Sequence, residues 1–269
     1  MKEMFGFIGT GNMGGALARA AVRAMGPEKV LLADHNRQLA ETLAAELGCQ
    51  AVTNAELAAQ CDMIFLGVKP QFLKGMLADL APALAVKSEP FCLVSMAAGV
   101  SMADVLTFAG GNYPLIRIMP NTPASVGCGM ILYDSTANVT ADMLDLFRKG
   151  MSDAGVLDAL PERLIDAGSA VTGCGPAFVD LFLEALADGG VACGLPRDKA
   201  MVYAAQMVLG SAKLALESGR HPGQLKDAVC SPGGSTIAGV RALEQHAFRA
   251  AVMDAVDAAY EKTKALGKQ

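Results

Sequence analysis

Gly9-Thr10-Gly11-Asn12-Met13-Gly14 follows the apolar run Phe5-Gly6-Phe7-Ile8 and leads into an amphipathic stretch from Gly14 to Met25. A G-x-G-x-x-G loop between a strand and a helix reads as a dinucleotide-binding turn. The first glycine permits the tight turn, the second lets backbone approach a pyrophosphate, and the third lets the helix pack on the strand. The helix that starts there offers unpaired N–H groups and a partial positive charge to the phosphates. In a chain with 29 glycines such a match could arise by chance, but its position argues otherwise. The loop leaves an N-terminal strand, and a second apolar run, Val30-Leu31-Leu32-Ala33, ends about 20 residues on, as the fingerprint requires.

Outward from the loop, short apolar runs alternate with longer amphipathic stretches, the pattern of β-α-β units in a doubly wound parallel sheet. Met63 to Val68, Phe91 to Ser95 and Leu115 to Ile118 read as further strands, and Gly127 to Tyr133 as one more. Gly14 to Met25, Gln38 to Leu47, Pro70 to Leu80 and Met102 to Phe108 read as helices. The strand signal stops after about Pro161. From Pro176 the chain is rich in Ala, Leu and Met at helical spacing, broken at 194–196, at 218–223 and at 231–234. The expected organisation is an α/β dinucleotide-binding domain over 1–160 and an all-α domain over 161–269. Apolar positions on 178–191, 199–216 and 248–260 outnumber one buried stripe per helix, so the helical half is expected to bury surface against another subunit.

Net charge is −5, from 22 basic and 27 acidic residues, which lacks the basic footprint of a nucleic-acid or anionic-membrane binder. Met1 to Gly6 contains no apolar core of signal-peptide length, and no later segment reads as the ~20 apolar residues that span a bilayer. A soluble cytoplasmic protein is expected. Its seven cysteines, never in C-x-x-C pairs, read as small core hydrophobes in a reducing compartment. Three scattered histidines, His35, His221 and His246, suggest no metal site.

Asp34 lies 20 residues after Gly14, where an acid would bond the ribose 2′-hydroxyl and favour NADH. His35-Asn36-Arg37 follows at once, and a guanidinium beside an amide suits the 2′-phosphate of NADPH. Asp34-His35-Asn36 also reads as a plain turn and helix cap, so the choice stays open, with NADPH preferred. Val68-Lys69-Pro70, Ala97-Ala98-Gly99 and Pro120 follow apolar runs, where open α/β sheets place their ligands.

Ser231-Pro232-Gly233-Gly234-Ser235-Thr236 opens a helix running to Gln245. Consecutive backbone N–H groups with Ser and Thr hydroxyls at a helix N-terminus make an anion site suited to a small carboxylate. This loop follows His221-Pro222-Gly223-Gln224-Leu225-Lys226-Asp227. With Phe7 to Gly14, Val68-Lys69-Pro70, Ala97-Ala98-Gly99, Arg117-Ile118-Met119-Pro120-Asn121-Thr122-Pro123 and Gly173-Cys174-Gly175-Pro176-Ala177-Phe178, it resembles the pyrroline-5-carboxylate reductase family over essentially the whole chain.

The resemblance implies an N-terminal Rossmann domain, a C-terminal dimerisation domain, and reduction of 1-pyrroline-5-carboxylate to proline by NADPH or NADH. It further implies a homodimer as building block, with a decamer of five dimers left open. By position, Ile8, Gly9, Thr10, Gly11, Asn12 and Met13 would hold the pyrophosphate. Asn36 and Arg37 would take the 2′-phosphate, and Asn54 the adenosine ribose. Val68, Lys69, Pro70, Ala97, Ala98, Gly99 and Pro120 would line the nicotinamide half. Ser231 and the backbone of Gly234, Ser235 and Thr236 would bind the substrate carboxylate, with the Thr236 hydroxyl at the imine nitrogen as the catalytic candidate. Ala228 stands where some relatives carry an asparagine that reaches the cofactor, so that contact is missing. A β-hydroxyacid dehydrogenase would need a Lys followed by Asn on its interdomain helix, and Gly175 to Glu184 contains neither. A non-catalytic NAD(P)H sensor would have no use for the Ser231–Thr236 loop.

Overall fold

The computed structural model describes residues 2–266. Met1 and residues 267–269, the outermost positions of the expected domains, lie outside that range. By packing, the chain divides into one unit of 2–174 with 259–266 and a second of 175–258.

The first unit is built on an eight-stranded sheet in the order β3-β2-β1-β4-β5-β6-β7-β8. Its strands are β1 (Phe5–Ile8), β2 (Val30–Ala33), β3 (Gln50–Ala51), β4 (Met63–Leu66), β5 (Cys92–Ser95), β6 (Leu115–Met119), β7 (Gly129–Ser135) and β8 (Gly155–Ala159). The first six run parallel in doubly wound order, with β1 registering Phe5 on Val30 to one side and Phe5 on Met63 to the other. β7 turns back antiparallel to β6, so the expected all-parallel sheet carries a reversed edge, and β8 runs parallel to β7.

The central strands β1, β2, β4 and β5 read as apolar runs because helices cover both faces. Side chains alternate between two cores. Phe5, Phe7, Phe65, Val94, Ile116 and Ile118 meet α1 (Asn12–Met25), α2 (Arg37–Leu47) and the later α6 (Ala141–Gly150) on one face. Ile8, Ile64, Leu66 and Leu93 meet α3 (Asn54–Gln60), α4 (Pro70–Ala85) and α5 (Met102–Ala109) on the other. Phe7 stacks on Phe65 with centroids 4.4 Å apart, and Phe147 of α6 lies 6.5 Å from the same ring. Local signals set the helix ends: Thr53 and Glu56 form a reciprocal capping box on α3, Ser101 and Thr140 cap α5 and α6, and Gly48 and Gly110 close α2 and α5 in the left-handed region. α4 continues past Leu80, through Pro82, because Leu84 anchors its last turn in the core.

α7 (Glu162–Thr172) packs with the sheet unit. Arg117 projects from the middle of β6 and is 4% exposed. Its guanidinium meets Glu162 at 3.2 Å and Asp166 at 2.7 Å, both on α7. Glu162 also accepts the Met102 N–H at 2.7 Å, and its own N–H donates to Asp134 at 2.6 Å. This cluster joins β6, β7 and the starts of α5 and α7.

The second unit holds α8 (Gly175–Ala192), α9 (Arg197–Ser218), α10 (Pro222–Ala228), α11 (Ser235–Gln245) and most of α12 (Phe248–Leu266). The breaks before α9, α10 and α11 fall where Gly and Pro were read as breaks, while α11 gives way to α12 at His246-Ala247, which contains neither. Few of its apolar side chains are buried: Ala187 on α8, and Ala200 and Ala204 on α9. Leu181, Val202, Leu209, Leu216 and Met253 are all more than half exposed. The run from Glu162 to Ala192 is, by length and composition, apolar enough to cross a bilayer, which corrects the expectation that no segment approaches this. It is two helices separated by a turn at Gly173-Cys174, and Asp166, Asp180, Glu184 and Asp188 recur along it.

Phe65 lies at the centre of the aromatic stack and is fully buried. Phe65→Ala should cost about 3–5 kcal/mol in denaturant titration, whereas Val126→Ser, at a position 74% exposed, should change stability by less than about 0.5 kcal/mol.

Candidate active site

The glycine loop lies where the doubly wound sheet reverses its order, between β1 and β4. Gly9 has φ +96°, a conformation costly for any residue with a Cβ. Its N–H donates to Ala33 O at 2.8 Å, and the Gly67 N–H donates to Ile8 O at 2.7 Å, so the ends of β1, β2 and β4 are tied together. A Cβ on Gly14 would stand 1.9 Å from Gly9 O, and one on Gly67 would stand 2.7 Å from it. A Cβ on Gly11 would meet nothing within 4 Å. Gly14 and Gly67 are therefore small for the sake of the fold, while Gly11 leaves open space above the loop. Gly11 is also the N-cap of α1 and provides no side-chain cap, so the first N–H groups of α1 have no intrahelical acceptor. Thr10 is buried, Met13 half-buried and Asn12 exposed. Thr10, Gly11 and Asn12 also line a cavity of about 370 Å³ with Leu39, Leu43 and Ser125, flanked by the Arg19–Glu46 ion pair.

At the end of β2, the Asp34 carboxylate faces the glycine loop and the start of α2. It accepts the Thr10 N–H at 2.6 Å, the Thr10 hydroxyl at 3.1 Å and the Asn36 N–H at 2.8 Å. It forms the expected turn, but the N-cap of α2 is Asn36, whose side chain makes no capping bond. Arg37 opens α2 fully in solvent and pairs with Glu41 at 2.7 Å. Asn54 is the first residue of α3, half-buried, behind the Thr53–Glu56 box.

Val68, Lys69 and Pro70 follow β4, with Lys69 as N-cap and Pro70 at the first position of α4, where its missing N–H costs nothing. Ala97, Ala98 and Gly99 follow β5, Ala97 buried and Gly99 at φ +73°. Pro120 follows β6 and is buried. The proposed cofactor residues thus gather at the carboxyl ends of the parallel strands and in the loops that leave them, the edge where open α/β sheets bind ligands. Three structural roles that shape this edge were not read from the sequence. Gly67 seats the loop. Asn121 is buried and joins Thr172 O to the Met130 N–H, each at 2.9 Å. Thr10 holds Asp34, and the strand-end acid opposite the loop is the one signal that could have suggested that pairing.

In the helical unit, the Gly234 N–H donates to Ser231 O at 3.0 Å, and Gly233 takes φ +68° in the same tight turn. A Cβ on Gly234 would stand 2.3 Å from Ser231 Oγ, so glycine there lets the Ser231 hydroxyl lie across the start of α11. Gly234 is the N-cap and has no capping side chain. Ser235 and Thr236 occupy the first two positions of α11. Among the described residues, the hydroxyls of Ser231, Ser235 and Thr236 bond to no protein group. One helix terminus therefore presents orphan N–H donors and unpaired hydroxyls, all able to receive a carboxylate. His221 Nδ1 accepts the Gly223 N–H at 3.1 Å, so it serves as the cap of α10. Lys226 is paired with Asp227 at 2.6 Å, and that bond raises its pKa.

Residues 162–266 match the family described as pyrroline-5-carboxylate reductase dimerisation. Residues 4–99 match the family described as NADP oxidoreductase, coenzyme F420-dependent. Over its full length the chain is 40% identical to the pyrroline-5-carboxylate reductase of Escherichia coli and 41% identical to that of Synechocystis, covering 100% of each. The crystal structure of Plasmodium falciparum pyrroline carboxylate reductase with NADP bound aligns with TM-score 0.88 and 34% identity, over 98% of each chain. The Streptococcus pyogenes 1-pyrroline-5-carboxylate reductase aligns with TM-score 0.87 and 32% identity, over 97% of this chain and 98% of the other. A ketol-acid reductoisomerase from an uncultured archaeon, at 14% identity and TM-score 0.64, shares the fold alone. The chain belongs to the pyrroline-5-carboxylate reductase family.

Proposed function

We propose that this chain reduces the cyclic imine 1-pyrroline-5-carboxylate to L-proline, the final step of proline biosynthesis, with NADPH as hydride donor and NADH as the alternative. The observation that carries the reading is the full-length identity to the E. coli reductase. The loop fits a dinucleotide on its own geometry: α1 begins uncapped, and the space above Gly11 is open. Ile8, Gly9, Thr10, Gly11, Asn12 and Met13 would hold the pyrophosphate. Asn36 and Arg37 would take the 2′-phosphate, Asn54 the ribose, and Val68 to Pro70, Ala97 to Gly99 and Pro120 the nicotinamide half.

A bound reduced nicotinamide would supply a hydride to the imine carbon, C2 of the pyrroline ring and C5 of the proline formed, while a proton goes to the nitrogen and the C=N bond becomes C–N. Ser231 and the N–H groups of Gly234, Ser235 and Thr236 would fix the substrate carboxylate and so orient the ring. The Thr236 hydroxyl would hydrogen-bond the imine nitrogen. With a pKa far above neutrality a threonine hydroxyl is a poor acid, so it would orient the nitrogen or relay a proton from water. Much of the rate enhancement would then come from placement.

The domain reading divides dinucleotide binding, 1–160, from substrate binding and dimerisation, 161–269. The match to the dimerisation family and the exposed aliphatic faces of α8, α9 and α12 support a homodimer as the building block. Seven free thiols support a reducing, cytoplasmic compartment, and the acidic balance supports a small-molecule substrate without nucleic-acid or membrane partners.

The deciding experiment follows oxidation of NADPH and NADH with pyrroline-5-carboxylate. Turnover is expected, and its absence with both cofactors would overturn the reading. Thr236→Ala should lower kcat roughly 10–100-fold and weaken NADPH binding far less; an equal loss of both would remove Thr236 from the imine. Ser231→Ala should raise KM for the imine about tenfold, and an unchanged KM would remove Ser231 from the site. Gly11→Val should abolish dinucleotide binding with the melting temperature retained, while Gly14→Ala should lower the melting temperature as well. Sedimentation should give an even number of chains; a monomer at micromolar concentration would sink the dimer, and the same run distinguishes two chains from ten.

A further inference from the structure

Asp34 ends β2, where an acid in this fold ordinarily faces the ribose 2′-hydroxyl. Here both carboxylate oxygens are already engaged. Oδ2 accepts the Thr10 N–H at 2.6 Å and the Thr10 hydroxyl at 3.1 Å, and Oδ1 accepts the Asn36 N–H at 2.8 Å. Three of the carboxylate's roughly four acceptor positions are filled. Thr10 is only 5% exposed, so water competes little for its two charge-assisted bonds to Asp34.

The two oxygens reach two different parts of the nucleotide edge. Thr10 is the second residue of the glycine loop, and Gly9 before it already donates to Ala33 O, the residue before Asp34, at 2.8 Å. Two consecutive bonds therefore stitch the loop to the end of β2. Asn36 is the N-cap of α2 and its side chain makes no capping bond; its carbonyl accepts the first helical N–H groups, and the Asp34 bond holds its own N–H. Arg37 follows it directly into solvent.

We infer that Asp34 is a positioning residue for the dinucleotide: one carboxylate holds the pyrophosphate loop and the 2′-phosphate turn at a fixed separation, for NADPH and NADH alike. Discrimination between the two then lies with Asn36 and Arg37. The inference rests on the proposal that residues 8–13 hold a pyrophosphate.

The test is direct titration of NADPH and NADH into wild type, Asp34→Asn, Thr10→Val, the double variant and Arg37→Ala. Asp34→Asn should weaken both dinucleotides by a similar factor, about tenfold, and keep the ratio of their affinities within about twofold. Its kcat at saturating cofactor should fall less than its affinity. Thr10→Val, which keeps the backbone bond, should weaken both less, and the double variant should be no worse than Asp34→Asn alone. Arg37→Ala should lower the NADPH affinity and spare NADH. If Asp34→Asn loses NADH selectively, or gains NADPH selectively, Asp34 reads the ribose and the inference fails. It also fails if Asp34→Asn leaves both affinities unchanged, or if the double variant is the sum of the singles. Should wild type bind neither dinucleotide, the pyrophosphate reading falls and takes the inference with it, an outcome distinct from every variant result.

Discussion

At the ends of β1 and β4 the carbonyl oxygen of Gly9 lies against the Cα atoms of Gly14 and Gly67, with no room for a methyl group between them. That contact of backbone with backbone brings α1 down onto the strand that precedes it and closes β4 against the same turn. It also decides where the uncapped end of α1 points, and hence where the proposed pyrophosphate would be held. The sheet order reverses at this place, so the close approach and the opening for a ligand arise from one arrangement.

Much of the sheet unit could be read from the sequence because β1, β2, β4, β5 and β6 are covered on both faces and are therefore apolar runs, broken in β6 by Arg117. The features that escaped have physical reasons. β3 is two residues long and has no period to detect. β8 is largely exposed, so Gly155 to Ala159 carries little apolar pressure. α3 is seven residues long, and its one sequence signal is the Thr53–Glu56 capping box. α4 outruns its expected end because a buried Leu84 outweighs the donor missing at Pro82. The apolar run from Glu162 to Ala192 is hard to see in the sequence because charged residues recur through it and it is divided between two helices.

The site was legible where a residue type does its work through backbone geometry, as in the two glycine-rich loops. It was less so where side chains reach across the fold. Spacing offered Asp34 a ribose or a turn, and it did not reveal that the carboxylate accepts from Thr10 of the facing loop. The segment Arg117 to Pro123 was read for its resemblance, yet its charged and amide members are anchors: Arg117 grips α7 through Glu162 and Asp166, and Asn121 ties β7 to the end of α7. An arginine whose Nε is buried without a partner stays in place because Glu162 and Asp166 hold the other two nitrogens. Removing either carboxylate would leave a desolvated cation behind.

The helical unit sets a clock on each newly made chain. Leu181, Val202, Leu209 and Met253 stand open on helices that bury little of their own apolar surface. The second copy proposed to cover them would have to arrive by diffusion, and at ~1 μM partner with an association rate near ~10⁶ M⁻¹s⁻¹ the wait would be about one second. For that second the sheet unit has its cores closed, while the helices offer the kind of aliphatic surface that chaperones bind and that aggregation propagates through. The abundance of this protein in a cell would then depend on how fast its chains are made relative to how fast their faces are covered, as well as on the stability of its fold.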